Sequence, residues 1–132
     1  MINKIVGSAA EAVSDIHDGS AVMIGGFGEA GSPIELIHAL IDHGAKDLTV
    51  ISNNTGSGHV GLAALIENKQ VSKTICSFPR TANSKVFPEL YHAGEIQLEL
   101  VPQGTLAERI RAGGAGIPAF YTPACNLRSR RR

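Results

Sequence analysis

Four short apolar runs, each closed by turn residues and followed by a stretch of helical spacing, constrain this chain more than any other feature. The first, Ala21-Val22-Met23-Ile24, is wholly apolar, as expected of a strand covered on both faces. Residues 48–51 (Leu-Thr-Val-Ile), 71–78 and 96–101 follow as further strands. The last begins with strict polar alternation and predicts a half-exposed strand. Between them lie helical spacings over residues 8–16, 32–43, 60–68 and 82–92, with a final helix from Thr105 to Gly113. Ser32 as N-cap, Pro33 at the first helical position and Glu35 three after the cap predict a capping box, and Thr105 with Glu108 predicts a second. Gly44 fits a left-handed helix stop. Pro88 should bend or break the helix that contains it. Strand and helix alternating at this spacing imply an α/β fold, a parallel sheet with helices on both faces. At 132 residues, 43% of them hydrophobic, the chain suits one such domain.

The first strand runs into Gly25-Gly26-Phe27-Gly28-Glu29-Ala30-Gly31. Gly26 to Gly31 matches G-x-G-x-x-G after a strand and before a helix, the pattern of a dinucleotide site. Two details oppose that reading. The third glycine of the fingerprint belongs inside the helix, whereas here Ser32-Pro33 follows it. The next strand should end near an acid that holds a ribose, whereas this one ends at Ser52-Asn53-Asn54. What remains is a run of backbone N–H groups beside a helix N-terminus, a place for an anion or a closely approaching ligand. A tight strand-to-helix turn without a ligand would use the same glycines.

The formal charge is zero, but Arg128, Arg130, Arg131 and Arg132 crowd the end, and no acid lies beyond Glu108. The body of the chain is therefore mildly acidic, which argues against nucleic-acid binding. No apolar run approaches the ~20 residues of a bilayer span. The first residues lack the long apolar stretch of a signal peptide, so a cytoplasmic location is expected. Cys76 and Cys125, far apart, read as reduced thiols, Cys76 as a small core residue. The histidines show no ligand spacing; His38 and His43 are five apart, so no metal is assigned.

Residues 18–33, from Asp18-Gly19 through Gly25-Gly26-Phe27 to Ser32-Pro33, resemble the signature of family I coenzyme A transferases. Residues 50–54 (Val-Ile-Ser-Asn-Asn), 101–116 (opening Val101-Pro102-Gln103-Gly104-Thr105) and 117–123 resemble the A-type subunit of that family. The resemblance covers residues 2–124, and around Cys76-Ser77-Phe78-Pro79-Arg80 it is greatest to 3-oxoadipate-type A subunits of aromatic degradation. It implies the NagB/RpiA-like fold of these transferases and transfer of CoA from succinyl-CoA to a 3-oxo acid such as 3-oxoadipate. It also implies that a separate B subunit supplies the nucleophilic glutamate, in a heterodimer or heterotetramer. The eight glutamates here lack the family's Ser-Glu-Asn-Gly context; Glu29 is read as loop surface. By resemblance Gln103 is an oxyanion stabiliser, since a neutral amide N–H can meet developing charge without titrating. A structural glutamine tying down a turn is the plainer alternative. Residues Gly25, Gly26, Phe27, Gly28, Glu29, Ala30 and Gly31 match the segment read as contacting CoA. No tightly bound cofactor is expected, with the CoA thioester entering as substrate. Arg80 is a candidate partner for the distal carboxylate of 3-oxoadipate, against the alternative of a solvated loop arginine.

After residue 123 the family continues into a glycine-rich loop and further strands, whereas this chain ends in Ala124-Cys125-Asn126-Leu127 and the arginines. Residues 1–123 are therefore expected to be the N-terminal part of an A-subunit domain, with 124–132 a basic tail foreign to the family. A frame shift, a misplaced gene end or an artefact would each produce that ending. The fragment alone is expected to be inactive. The competing reading is a non-catalytic α/β module that binds CoA or another anionic ligand.

Overall fold

A computed structural model describes residues 3–81 and 83–123. The expectations for Cys125 and the arginine tail lie outside the described residues, as does Ala82. The elements alternate as the sequence requires: α1 (Ala9–Val13), β1 (Ala21–Met23), α2 (Ile34–His43), β2 (Leu48–Ile51), α3 (Leu62–Glu67), β3 (Val71–Cys76), α4 (Val86–His92), β4 (Gln97–Leu100) and α5 (Gln103–Gly114). The four strands form one parallel sheet in the order β1-β2-β3-β4.

Because strand order follows chain order, crossovers of one hand place α2, α3 and α4 side by side on a single face. Alternation then sorts the side chains. Leu48 and Val50 of β2 point toward those helices and are wholly buried against Ile37, Leu40, Leu65 and Ile66. Register carries the same parity to Val22, Thr74 and Leu98. Met23, Ile51, Ile75 and Glu99 share the opposite face, where Glu99 meets Arg109 of α5 at 2.8 Å and Lys73 at 2.9 Å. Lys73 first, then Arg109, holds the Glu99 carboxyl below the ordinary carboxylate range. Both faces thus carry helices, but the second carries only α5 among the described residues. The expectation that β1 is covered on both sides fails for this reason. It is an edge strand whose Met23 is 63% exposed on the thinly covered face.

Helix ends depart from expectation where other hydrogen bonds intervene. Ser32 does not cap α2: Pro33 is the N-cap and no side-chain cap bond forms, while the Ser32 N–H that Glu35 would take in a capping box donates to the Glu29 carbonyl. Thr105 does not cap α5 either. The helix starts two residues earlier, at Gln103. Thr105 is therefore buried in its first turn, its hydroxyl without a partner among the described residues, and Glu108 pairs with Arg111. A cap forms instead at α1, where Ser8 Oγ accepts from Glu11 N–H and Glu11 accepts from Gly7 N–H. Pro88 breaks nothing. It is the third residue of α4, within the first turn, where a helix needs no N–H donor. Gly44 ends α2 in the left-handed conformation, as expected (φ 82°).

Cys76 is fully buried at the end of β3, and burial pushes its thiol up to about 11 against a weaker opposing hydrogen bond with the Phe78 backbone. A thiol protonated and shielded in this way should not react at neutral pH. Native protein treated with iodoacetamide is expected to leave Cys76 unmodified by peptide mass mapping until denaturant is added. Ready modification without denaturant would contradict the burial.

Candidate active site

The site forms where the strands end. Past β1, Ile24 N–H still bonds Ile51, and past β2, Ser52 N–H bonds Ile75, so the chain leaves the sheet with its register intact. The Asn53 carbonyl accepts from both Ser77 and Phe78 N–H, which holds the end of β3 beside the end of β2. Val101 N–H bonds Cys76, and Pro102 then turns the chain into α5. Four loops are thereby delivered to the carboxyl edge of one parallel sheet, the usual place for a ligand in such folds.

Gln103, in the first turn of α5, meets residues from two other strands. Asn53 Nδ2 donates to Gln103 Oε1 at 2.9 Å, and Ser77 Oγ donates to the same oxygen at 2.7 Å. These bonds also explain why α5 starts early: they hold Gln103 in the helical turn that Thr105 was expected to open. Gln103 is itself exposed and lines a cleft of about 260 Å³ with Gly25, Gly26, Asn53, Leu106 and Ile110. The wall toward α5 is apolar, and the amide stands at its polar end.

The glycine loop is a tight turn in which Phe27 N–H donates to the Ala30 carbonyl at 2.9 Å. Gly26 adopts φ 128°, and a Cβ there would lie 3.2 Å from the Ser32 backbone, so only glycine fits. Of the seven loop residues singled out by resemblance, Gly25 and Gly26 face the cleft. Gly28 and Glu29 line an adjoining hollow of about 10 Å³, room for about one water and none for a phosphate. Phe27, Ala30 and Gly31 line neither, and Phe27 is 73% exposed. Glu29 is exposed in the loop and also bonds across it. Its Oε1 accepts from Ser57 N–H at 3.1 Å and ties the glycine loop to the loop after β2.

Arg80 lines neither hollow. Its neighbours are anchored, since Pro79 accepts from Thr55 Oγ1 at 2.7 Å and Thr81 shares a hydrogen bond with Ser57 at 2.9 Å. Its own guanidinium is exposed, with no ion pair to any described residue. The residues that sequence reasoning left without a role are Asn53 and Ser77. The signal they carried was two adjacent amides closing one strand at the level where Pro-Gln closes another. Among the described residues no group of three or more His, Cys, Asp or Glu side chains converges, and no helix is long and apolar enough to cross a membrane.

The sequence that folds into this sheet, with its glycine turn and Gln103 amide at the carboxyl edge, matches that of a known family. The Coenzyme A transferase profile covers residues 6–125, and the chain belongs to that family. Over 123 residues it is 61% identical to the A-type subunit of 3-oxoadipate CoA-transferase from Pseudomonas putida, covering 93% of this chain and 53% of that relative. It is 52% identical over 121 residues to the A-type subunit of a probable succinyl-CoA:3-ketoacid coenzyme A transferase from Bacillus subtilis, covering 92% of this chain and 50% of that one. The chain spans about half the length of these curated relatives. An acyl-CoA transferase from E. coli, solved as a thioester complex with CoA, superposes with a TM-score of 0.69 at 26% identity, over 86% of this chain and 23% of that one. The AibA/AibB decarboxylase superposes at 0.70 and 24% identity, over 85% and 44%, which shows the shared fold alone.

Proposed function

We propose that this chain carries the carbonyl-polarising part of a CoA-transferase site and works as an A-type subunit with a B-type partner. In this reading residues 1–123 are the first part of the A-subunit domain, the complex acts in the cytoplasm, and CoA passes from succinyl-CoA to a 3-oxo acid such as 3-oxoadipate. The observation that carries it is the Gln103 amide. Its oxygen is taken by two donors, and its residue opens onto a cleft lined by Gly25 and Gly26. Among the described residues the one carboxylate lining either hollow, Glu29, is engaged by Ser57 N–H, which favours a nucleophile from another chain.

Attack by the partner's glutamate on the thioester carbon puts a negative charge on the carbonyl oxygen, where the Gln103 N–H stabilises it. Collapse expels the CoA thiolate and leaves an acyl anhydride on the glutamate. Return of the thiolate to the glutamyl carbonyl releases succinate and leaves CoA on the enzyme, ready for the 3-oxo acid. The expected result is CoA exchange by a B-type subunit combined with an A chain extended to the length of its relatives, and none by this chain alone. Exchange by the purified chain alone, or failure of the extended chain to bind a B-type subunit, would overturn the reading. Stable binding of CoA without either outcome would favour the non-catalytic module.

Arg80 remains the proposed contact for a distal carboxylate, a role consistent with its exposed guanidinium between two anchored residues. In the complex, Arg80→Ala is expected to raise KM for 3-oxoadipate about tenfold, as loss of a charge-assisted hydrogen bond does. KM for a monocarboxylic 3-oxo acid should stay within twofold; equal effects on both acids would exclude the role.

A further inference from the structure

A primary amide has a donor end and an acceptor end of nearly the same shape, so a glutamine at an oxyanion site is useful only if something decides which end faces the substrate. The structure contains such a device. Gly56 N–H donates to Asn54 Oδ1 at 2.7 Å. A backbone N–H can only donate, so this bond fixes the Asn54 amide with its oxygen toward Gly56 and its nitrogen outward. Asn54 Nδ2 then faces Asn53 Oδ1 at 3.4 Å, and Asn53 Nδ2 faces Gln103 Oε1 at 2.9 Å. Ser77 Oγ adds a second donor to the same oxygen. Each amide passes its polarity to the next, and the series ends with the nitrogen of Gln103 left over. The origin is rigid: Asn54 is buried, and Gly56 is pressed so closely on α3 that an added Cβ would lie 2.5 Å from Ala63 N.

We propose that Asn54, Asn53 and Ser77 are positioning residues that fix the Gln103 carboxamide with its oxygen inward and its NH2 toward the cleft, making Gln103 an obligate donor. Its catalytic consequence rests on the transferase reading; the orientation itself does not. A flipped Gln103 would set its NH2 against the NH2 of Asn53, a donor facing a donor at hydrogen-bond distance, while Ser77 alone could adapt by rotating its hydroxyl.

The orientation can be read without catalysis. In 15N-edited spectra of the chain, the Gln103 side-chain amide should show protons in rapid exchange with water, while one Asn53 Nδ2 proton is shifted downfield by its bond. Asn53→Asp replaces that donor by an acceptor and should turn Gln103 over, so that a Gln103 Nε2 proton moves downfield and its exchange slows. Ser77→Ala, which removes a half-exposed hydroxyl and leaves packing untouched, should broaden or average the Gln103 amide pair. Unchanged Gln103 signals in both variants would overturn the proposal, whatever the chain does to thioesters. In the assembled transferase, Ser77→Ala is expected to lower kcat about tenfold, the scale of one hydrogen bond, with KM within twofold. Ser77→Thr, which keeps the hydroxyl, should recover most of that loss. A rise in KM alongside the loss of kcat, or no recovery with threonine, would assign Ser77 a merely structural role. If the unsubstituted complex transfers no CoA, the functional reading fails, and the spectra still decide the orientation.

Discussion

Gln103→Ala in the assembled transferase is expected to lower kcat by about 10²–10³-fold, the cost of removing one oxyanion donor, while KM changes little. The split follows from where the charge lies. A ground-state thioester oxygen is a weak acceptor, so the amide contributes little to binding. The tetrahedral oxyanion is a strong one, so the loss falls on the transition state. The alternative, a glutamine that merely ties down the turn before α5, predicts something else. Truncation would then lower the denaturation midpoint with kcat intact, because Asn53 and Ser77 would lose their acceptor. Gln103 is exposed and its two donors are only part-buried, so water can replace the lost bonds and stability should change by less than about 1 kcal/mol. Stopped-flow turnover and a urea titration on the same preparation separate the two. A variant with normal kcat would remove Gln103 from the chemistry.

The largest effect on folding is expected at Gly56. Its φ of 79° disfavours any residue with a Cβ, and the Cβ of alanine would fall 2.5 Å from the Ala63 nitrogen at the start of α3. The backbone term costs roughly 1–2 kcal/mol, and displacing a helix backbone adds roughly 1–3 kcal/mol. Gly56→Ala should therefore destabilise by about 3 kcal/mol and lower the urea midpoint by roughly 2 M at the slope usual for a small domain. Gly44 is the control. Its φ is 82°, but a Cβ there meets open space, so Gly44→Ala should cost only about 1 kcal/mol. Equal losses in the two variants would show that the contact with Ala63 relaxes freely.

The order of strands and helices could be read in the sequence because the periodicity of apolar residues is a local property, and so could the left-handed stop at Gly44. The glycine turn and Gln103 were legible through the resemblance, and the structure brings Gly25, Gly26 and Gln103 to one cleft. What could not be read was set by partners distant in the chain. Gln103 is 50 residues from Asn53 and 26 from Ser77, and those contacts decide that α5 opens at Gln103 with Thr105 inside its first turn. Ser32 fails for a local reason: it has the residue type of a cap, yet its N–H turns back three residues to the Glu29 carbonyl instead of meeting Glu35, and the helix opens after Pro33 with no side-chain cap. Ser8, three before Glu11, satisfies the same rule with no competitor and does cap its helix. Helix-start signals in this chain hold where no other hydrogen bond, near or distant, contests them. Arg80 shows the same limit from the other side, since nothing local says where a long cation on an anchored loop will reach.

The in-order sheet places the parts of the site on strands of unequal permanence. Among the described residues β2 and β3 have neighbours on both sides, while β1 and β4 each lean on one. Gly25 and Gly26 hang from the first outer strand and Gln103 from the other, with Asn53 and Ser77 between them on the inner pair. Fraying that begins at either margin would therefore unhitch the glycine turn or the amide singly, while the inner pair keeps the template to which each returns.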